Sequence, residues 1–173
     1  MTEAAGRLHE RFPGRVLGVC CDICAGVGGL ALLAMAGMTV ASVIGRAFFA
    51  RPILGDVELV QLGTAVCIAL FLPYTQFRGG NIIVDVFTAR ASARTRALMD
   101  GFGTLLYALA MALIGWRLVA GGLAARQSEE TSMLMGFPIW IAYMLMVPGL
   151  ALSAVIGIYH TALHWFAADE GAR

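Results

Sequence analysis

The chain has 173 residues, 60% of them hydrophobic and 13% charged, with a formal net charge of +1 and a mean hydropathy of +0.81. A soluble domain carries about 25% charged residues, so this composition excludes an ordinary soluble enzyme, a disordered chain and a nucleic-acid binder, which needs a basic excess. A membrane span takes about 20 apolar residues, and four spans with short loops leave no room for a separate soluble domain.

The first span is expected at about residues 17–45, its uncharged centre running from Ile23 to Gly45 between Asp22 and Arg46. Arg7, Arg11 and Arg15 precede a run too long for the apolar region of a signal peptide, which predicts retention rather than cleavage. Gly37, Ala41 and Gly45 recur every fourth residue, so one face of this span is narrow enough for close helix approach.

The second span, about 57–77, follows Asp56 and Glu58 and stops at Arg78. A short connection brings its start near Arg46, and the sequence predicts an Arg46–Glu58 pair there. After Arg78, Ile82, Ile83, Val86 and Phe87 share a helical face, with Asp85 and Thr88 opposite. That pattern predicts an interfacial amphipathic helix over about 81–90, capped by Asn81, with Arg78 and Asp85 bracketing the turn.

The third span, about 94–125, is on the order of 48 Å long, which exceeds the hydrocarbon core. It is expected to tilt or protrude, with Arg117 snorkelling near the headgroups. The fourth, about 138–163, opens at Pro138, a residue suited to a first helical turn, and contains Pro148, which is expected to kink it. Its small face is Gly149, Ser153 and Gly157. Either small face suits packing within the chain or against another subunit. The fold expected is therefore an all-α membrane protein, one integral domain over 1–173.

The first end, the 78–100 connection and the tail hold Arg7, Arg11, Arg15, Arg78, Arg90, Arg94, Arg96 and Arg173. The other side holds Arg46, Arg51, Arg117 and Arg126. This asymmetry predicts that both termini are cytoplasmic.

A chain that moves ions unaided usually places an ionisable group at mid-membrane depth. Asp22, Arg46, Glu58, Arg78, Asp100 and His160 are all expected near span ends. Thr39, Ser42, Gln61, Thr64, Thr104, Tyr107, Tyr143 and Ser153 are the mild polar groups within the spans. Cys20, Cys21, Cys24 and Cys67 have no clustered His and read as small apolar residues. His160 and His164 lie on one helix, whereas membrane haem needs His on opposed helices. No nucleophile motif or phosphate loop occurs outside a span, so neither an enzymatic activity, a metal nor a cofactor is expected.

Taken in order, Arg46, Glu58-Leu59, the run from Arg78 through Gly79-Gly80-Asn81-Ile82-Ile83-Val84-Asp85, Gly136 to Trp140 with Pro138, and Pro148 resemble the small membrane subunit of tripartite ATP-independent periplasmic (TRAP) transporters. The resemblance covers about residues 23–160. It departs at Asn81, where the family often has His, and at Gly55-Asp56-Val57-Glu58, which keeps part of a Ser-Trp and paired-acid run.

The resemblance implies a non-catalytic subunit of an ion-gradient, usually sodium, driven system for organic acids in the bacterial inner membrane. It implies as partners a large transport subunit, which holds the substrate and ion sites, a transiently docking periplasmic substrate-binding protein, and membrane lipid. Arg46, Glu58, Arg78, Asn81, Asp85, Pro138, Trp140, Gly37, Ala41 and Gly45 are then candidate structural or partner-interface residues. Arg51, Arg126, Glu129 and Glu130 are candidates for periplasmic contact. The alternatives are an independent four-span exporter or channel, which calls for an acidic residue deep in a span, and a haem-bearing anchor.

Overall fold

The computed structural model describes residues 12–49, 53–78 and 93–170. They form α1 (Phe12–Phe49), α2 (Asp56–Phe77), α3 (Ala93–Gln127) and α4 (Trp140–Glu170). Each is long and apolar enough to cross a membrane. In hydrocarbon every backbone N–H and C=O must be paired within the protein, which a helix does locally. Long uncharged runs rich in Leu, Ala, Val and Ile therefore become helices.

The helices run past the expected spans. α1 continues on both sides of Asp22 and Arg46, and Pro13 lies in its first turn, where a missing N–H costs nothing. Charges end the hydrocarbon-compatible stretch, not the helix. The expected interfacial helix over 81–90, with Asn81 and Asp85, lies outside the described residues, as does Arg51.

The fourth helix starts later than expected, at Trp140. Pro138 instead forms an antiparallel bridge with Thr131, and its carbonyl accepts the Ile141 N–H at 3.2 Å. The preceding hairpin loop accounts for this. Phe137 O accepts the Ser132 N–H at 2.8 Å and Glu130 O accepts the Ile139 N–H at 3.2 Å, so Pro138 is held extended before helical hydrogen bonding begins. α4 remains helical through Pro148.

α1 packs antiparallel on α2, α2 lies alongside α4, and α4 packs antiparallel on α3, while α1 barely touches α4. The helices thus form a row, α1–α2–α4–α3, rather than a closed bundle. Buried residues make up 39% of the apolar window of α4 but 11% of that of α1, which places the core along α4 and leaves the end helices largely uncovered.

The small face of α4 lies inside this row. An added Cβ at Gly149 would overlap the carbonyl of Ala69 in α2, and one at Gly157 would meet the Ala108 Cβ of α3 at 2.9 Å. Ser153, between them, is fully buried. The small face of α1 is the opposite case. Gly37 has nothing within 4 Å of an added Cβ, Ala41 is exposed and Gly45 half-buried.

Candidate functional site

The interior offers little chemistry. Among the described residues the buried polar ones are Ser42, Gln76, Ser153 and Thr161, and none carries a formal charge. Thr104 and Thr161 hydroxyls meet at 3.0 Å across α3 and α4, and Tyr107 faces Ser153. The Cys21 thiol donates to Pro73 O at 3.6 Å and the Cys67 thiol to Gly28 O at 3.3 Å, so both are buried fillers of the α1–α2 seam. Among the described residues no three His, Cys, Asp or Glu side chains gather as metal ligands.

Polar contacts concentrate at the two ends of α2. At the Asp56 end, the fully buried Ser42 hydroxyl donates to Asp56 Oδ2 and accepts the Ile53 N–H at 3.3 Å. Asp56 Oδ1 accepts the Val57 N–H at 2.8 Å. Asp56 and Glu58 both lie in the first turn of α2, where the helix dipole favours anions. The expected Arg46–Glu58 pair does not form. Arg46 sits in the last turn of α1, within electrostatic reach of Asp56.

Glu58 holds the loop between α3 and α4. Its carboxylate accepts the Leu134 N–H at 3.1 and 3.3 Å and the Met135 N–H at 3.4 Å, with Ser132 as a further partner. Met135 packs on Gly55, whose φ of 79° and absent side chain make room for it. Gly136, at φ 65°, and Glu129, at φ 52°, are also left-handed. Arg126 closes the loop base with its guanidinium 5.1 Å from the Trp140 ring. Glu129 and Glu130 are exposed, and Glu130 accepts the Ser128 hydroxyl at 3.1 Å.

The Glu58 clasp gives an expected outcome. Glu58→Gln removes the charge and one acceptor oxygen from the clasp, which weakens its hold on the loop N–H groups. Amide hydrogen exchange at Leu134 and Met135 should accelerate in Glu58→Gln and stay slow in Arg46→Glu. A double variant, Arg46→Glu with Glu58→Arg, should show no rescue; recovery of exchange protection in it would restore the Arg46–Glu58 pair.

At the other end, Arg78 Nη2 lies 3.7 Å from Asp22 Oδ1 and its guanidinium stacks 5.2 Å over Tyr74. Both charges are more than half exposed, so the pair orients more than it stabilises. The expected bracket of Arg78 with Asp85 lies outside the described residues; among them Arg78 ties the end of α2 to α1. Phe77 and His160 stack at 6.4 Å between α2 and α4.

Arg117 departs furthest from its expected place. The contacts Thr104 to Thr161, Gly157 to Ala108 and Gly115 to Leu150 fix the α3–α4 register. Continuing that register puts Arg117 level with Pro148, beside Gly149, which abuts Ala69 well inside α2. α2 has 22 residues, about 33 Å at a rise of 1.5 Å per residue, close to the ~30 Å hydrocarbon thickness. Arg117 therefore lies more than ~12 Å from either end of α2, near mid-depth rather than at the headgroups. Its position only looks terminal when counted along α3, because α3 extends well past α2. A charge at this depth costs about 2.5–3.5 kcal/mol in lipid. Arg117 is exposed on the outside of the row, with its guanidinium 5.5 Å from the Trp116 ring.

Two apolar grooves flank the row. One, about 390 Å³, lies between α1, α2 and α4 and is lined by Met35, Met38, Gly63, Val66, Phe137 and Leu145 among others. The other, about 330 Å³, lies between α3 and α4 beside Gly115 and Trp116.

A family model described as tripartite ATP-independent periplasmic transporters, DctQ component, matches residues 35–167. No curated protein and no solved structure matches the chain.

Proposed function

The chain belongs to the DctQ component family of tripartite ATP-independent periplasmic (TRAP) transporters, and from that membership we propose that it is the fixed brace of the large transport subunit. It is the small, multi-pass membrane component of such a transporter and not an enzyme. Transport is driven by an ion gradient, sodium in this reading, and carries organic acids across the bacterial inner membrane. The large subunit holds the cargo and ion sites and moves. This chain stays still and widens the stationary body against which the moving part slides.

The observation that supports this reading is that no formally charged residue is buried among the described residues. Among the described residues the charged groups lie beyond or at the edges of the long uncharged runs or, for Arg117, on the outer surface. No internal route for a charged solute runs through such a body. A row of helices with broad uncovered apolar faces suits a partner that covers them.

The Arg asymmetry supports cytoplasmic termini. The Asp56 end then faces the periplasm, where Arg51, Arg126, Glu129 and Glu130 are offered to a transiently docking binding protein. Gly37, Ala41 and Gly45, on an end helix of the row, are offered to the large subunit.

The test is reconstitution in liposomes under a sodium gradient. The chain alone should move no organic acid. The chain with the large subunit and binding protein should give uptake that is lost when this chain is omitted. Robust uptake by the chain alone would replace the brace with an independent transporter.

A further inference from the structure

Arg117 is a permanent cation at mid-membrane depth on an outer surface. Among the described residues the one salt bridge is that of Arg78 with Asp22, so no carboxylate of the row neutralises Arg117. The residues one turn either side of it on α3 are apolar: Leu113, Ile114, Ala120 and Gly121. Either boundary is farther away than one arginine stem extends. Arginines at this depth usually face protein or a water-filled cavity and pair with an acid or with backbone carbonyls.

We propose that the Trp116–Arg117 face of α3 docks on the large transport subunit, and that an Asp or Glu carboxylate within a membrane span of that subunit receives the Arg117 guanidinium. This rests on the brace reading, which supplies the partner. Three features of the face fit such an occupant. Arg presents a planar, bidentate fork that suits a carboxylate and stays protonated in a dry interface. Trp116, 64% exposed, holds the guanidinium against its ring and limits the positions it samples. On the α4 side of Trp116 a groove of about 330 Å³ gives a neighbouring helix room to approach. A membrane-depth ion pair of this kind selects one partner and one depth, because any vertical slip leaves both charges unpaired in hydrocarbon.

The full chain, co-expressed with the large subunit and purified in nanodiscs, provides the test. Arg117→Leu and Arg117→Glu should reduce co-purification of the large subunit at least tenfold, and Arg117→Lys less. In the isolated chain Arg117→Leu should melt at or above the wild-type temperature, because it exchanges a lipid-facing charge for a lipid-compatible side chain. A carboxylate-to-Arg change in a span of the large subunit should rescue Arg117→Glu. Wild-type yields of complex from Arg117→Leu would overturn the proposal and leave the guanidinium in lipid. Failure of the wild-type chain itself to co-purify would instead overturn the brace reading. Equal losses in Arg117→Leu and Arg117→Lys, without charge-swap rescue by any span carboxylate, would also overturn the carboxylate pairing.

Discussion

Gly149→Ala should lower the melting temperature of the detergent-solubilised chain by about 4–8 °C, corresponding to at least ~2 kcal/mol. The sign is not obvious from helix propensity, since Ala is favoured over Gly by about 1 kcal/mol inside a helix. Packing reverses it. The added methyl would overlap the Ala69 carbonyl, and backbone cannot move aside as a flexible side chain does. That carbonyl is also special. Pro73 stands four residues further along α2, has no N–H to offer it, and so leaves it to face Gly149. A close glycine lets an α-hydrogen approach the oxygen. Gly37→Ala is the matched control. It meets open space, so the chain should melt at the same temperature or slightly higher, by the ~0.5–1 kcal/mol that Gly costs in a helix. Equal melting temperatures for Gly149→Ala and wild type would refute the close α2–α4 approach.

Ala41→Leu and Gly37→Leu should separate folding from assembly. Both positions are exposed, so thermal unfolding of the isolated chain should change by less than ~0.5 kcal/mol for Ala41→Leu and rise by no more than the ~0.5–1 kcal/mol that Gly costs in a helix for Gly37→Leu. Co-purification with the large subunit should fall at least tenfold, equivalent to ~1.4 kcal/mol, because added bulk forces the helices apart where small residues let them approach. Normal complex yields from both variants would remove this α1 face from the interface and leave it to lipid.

The acids at the start of α2 show where sequence reading stops. Asp56 and Glu58 were both legible as first-turn acids near a span boundary, and Arg46 as a nearby cation. Which group each one meets was not. Asp56 engages Ser42, which is buried seven residues before the end of α1. That contact left no mark in the spacing, since Ser42 lies a full seven residues inside α1 while Asp56 is the first residue of α2. Glu58 engages the backbone N–H groups of Leu134 and Met135. Backbone donors occur at nearly every residue and leave no mark in the sequence. The Gly136-Phe137-Pro138-Ile139-Trp140 stretch stood out as a motif. Its meaning, a hairpin loop ending in a bridge at Pro138 with Trp140 opening α4, depended on the loop hydrogen bonds.

Length, apolar runs and the scarcity of charge determined that this protein is four membrane-spanning helices, because hydrocarbon leaves the backbone no alternative. Residue order was also enough to relate it to its transporter family. The tertiary structure decided the row α1–α2–α4–α3, which of two similar small-residue faces is inside, and the depth of Arg117. In water, the apolar face of a helix announces its partner by contrast with a polar face. In a membrane protein lipid-facing and helix-facing residues are equally apolar, so facing and depth are set by register between helices, which no single helix carries in its own sequence.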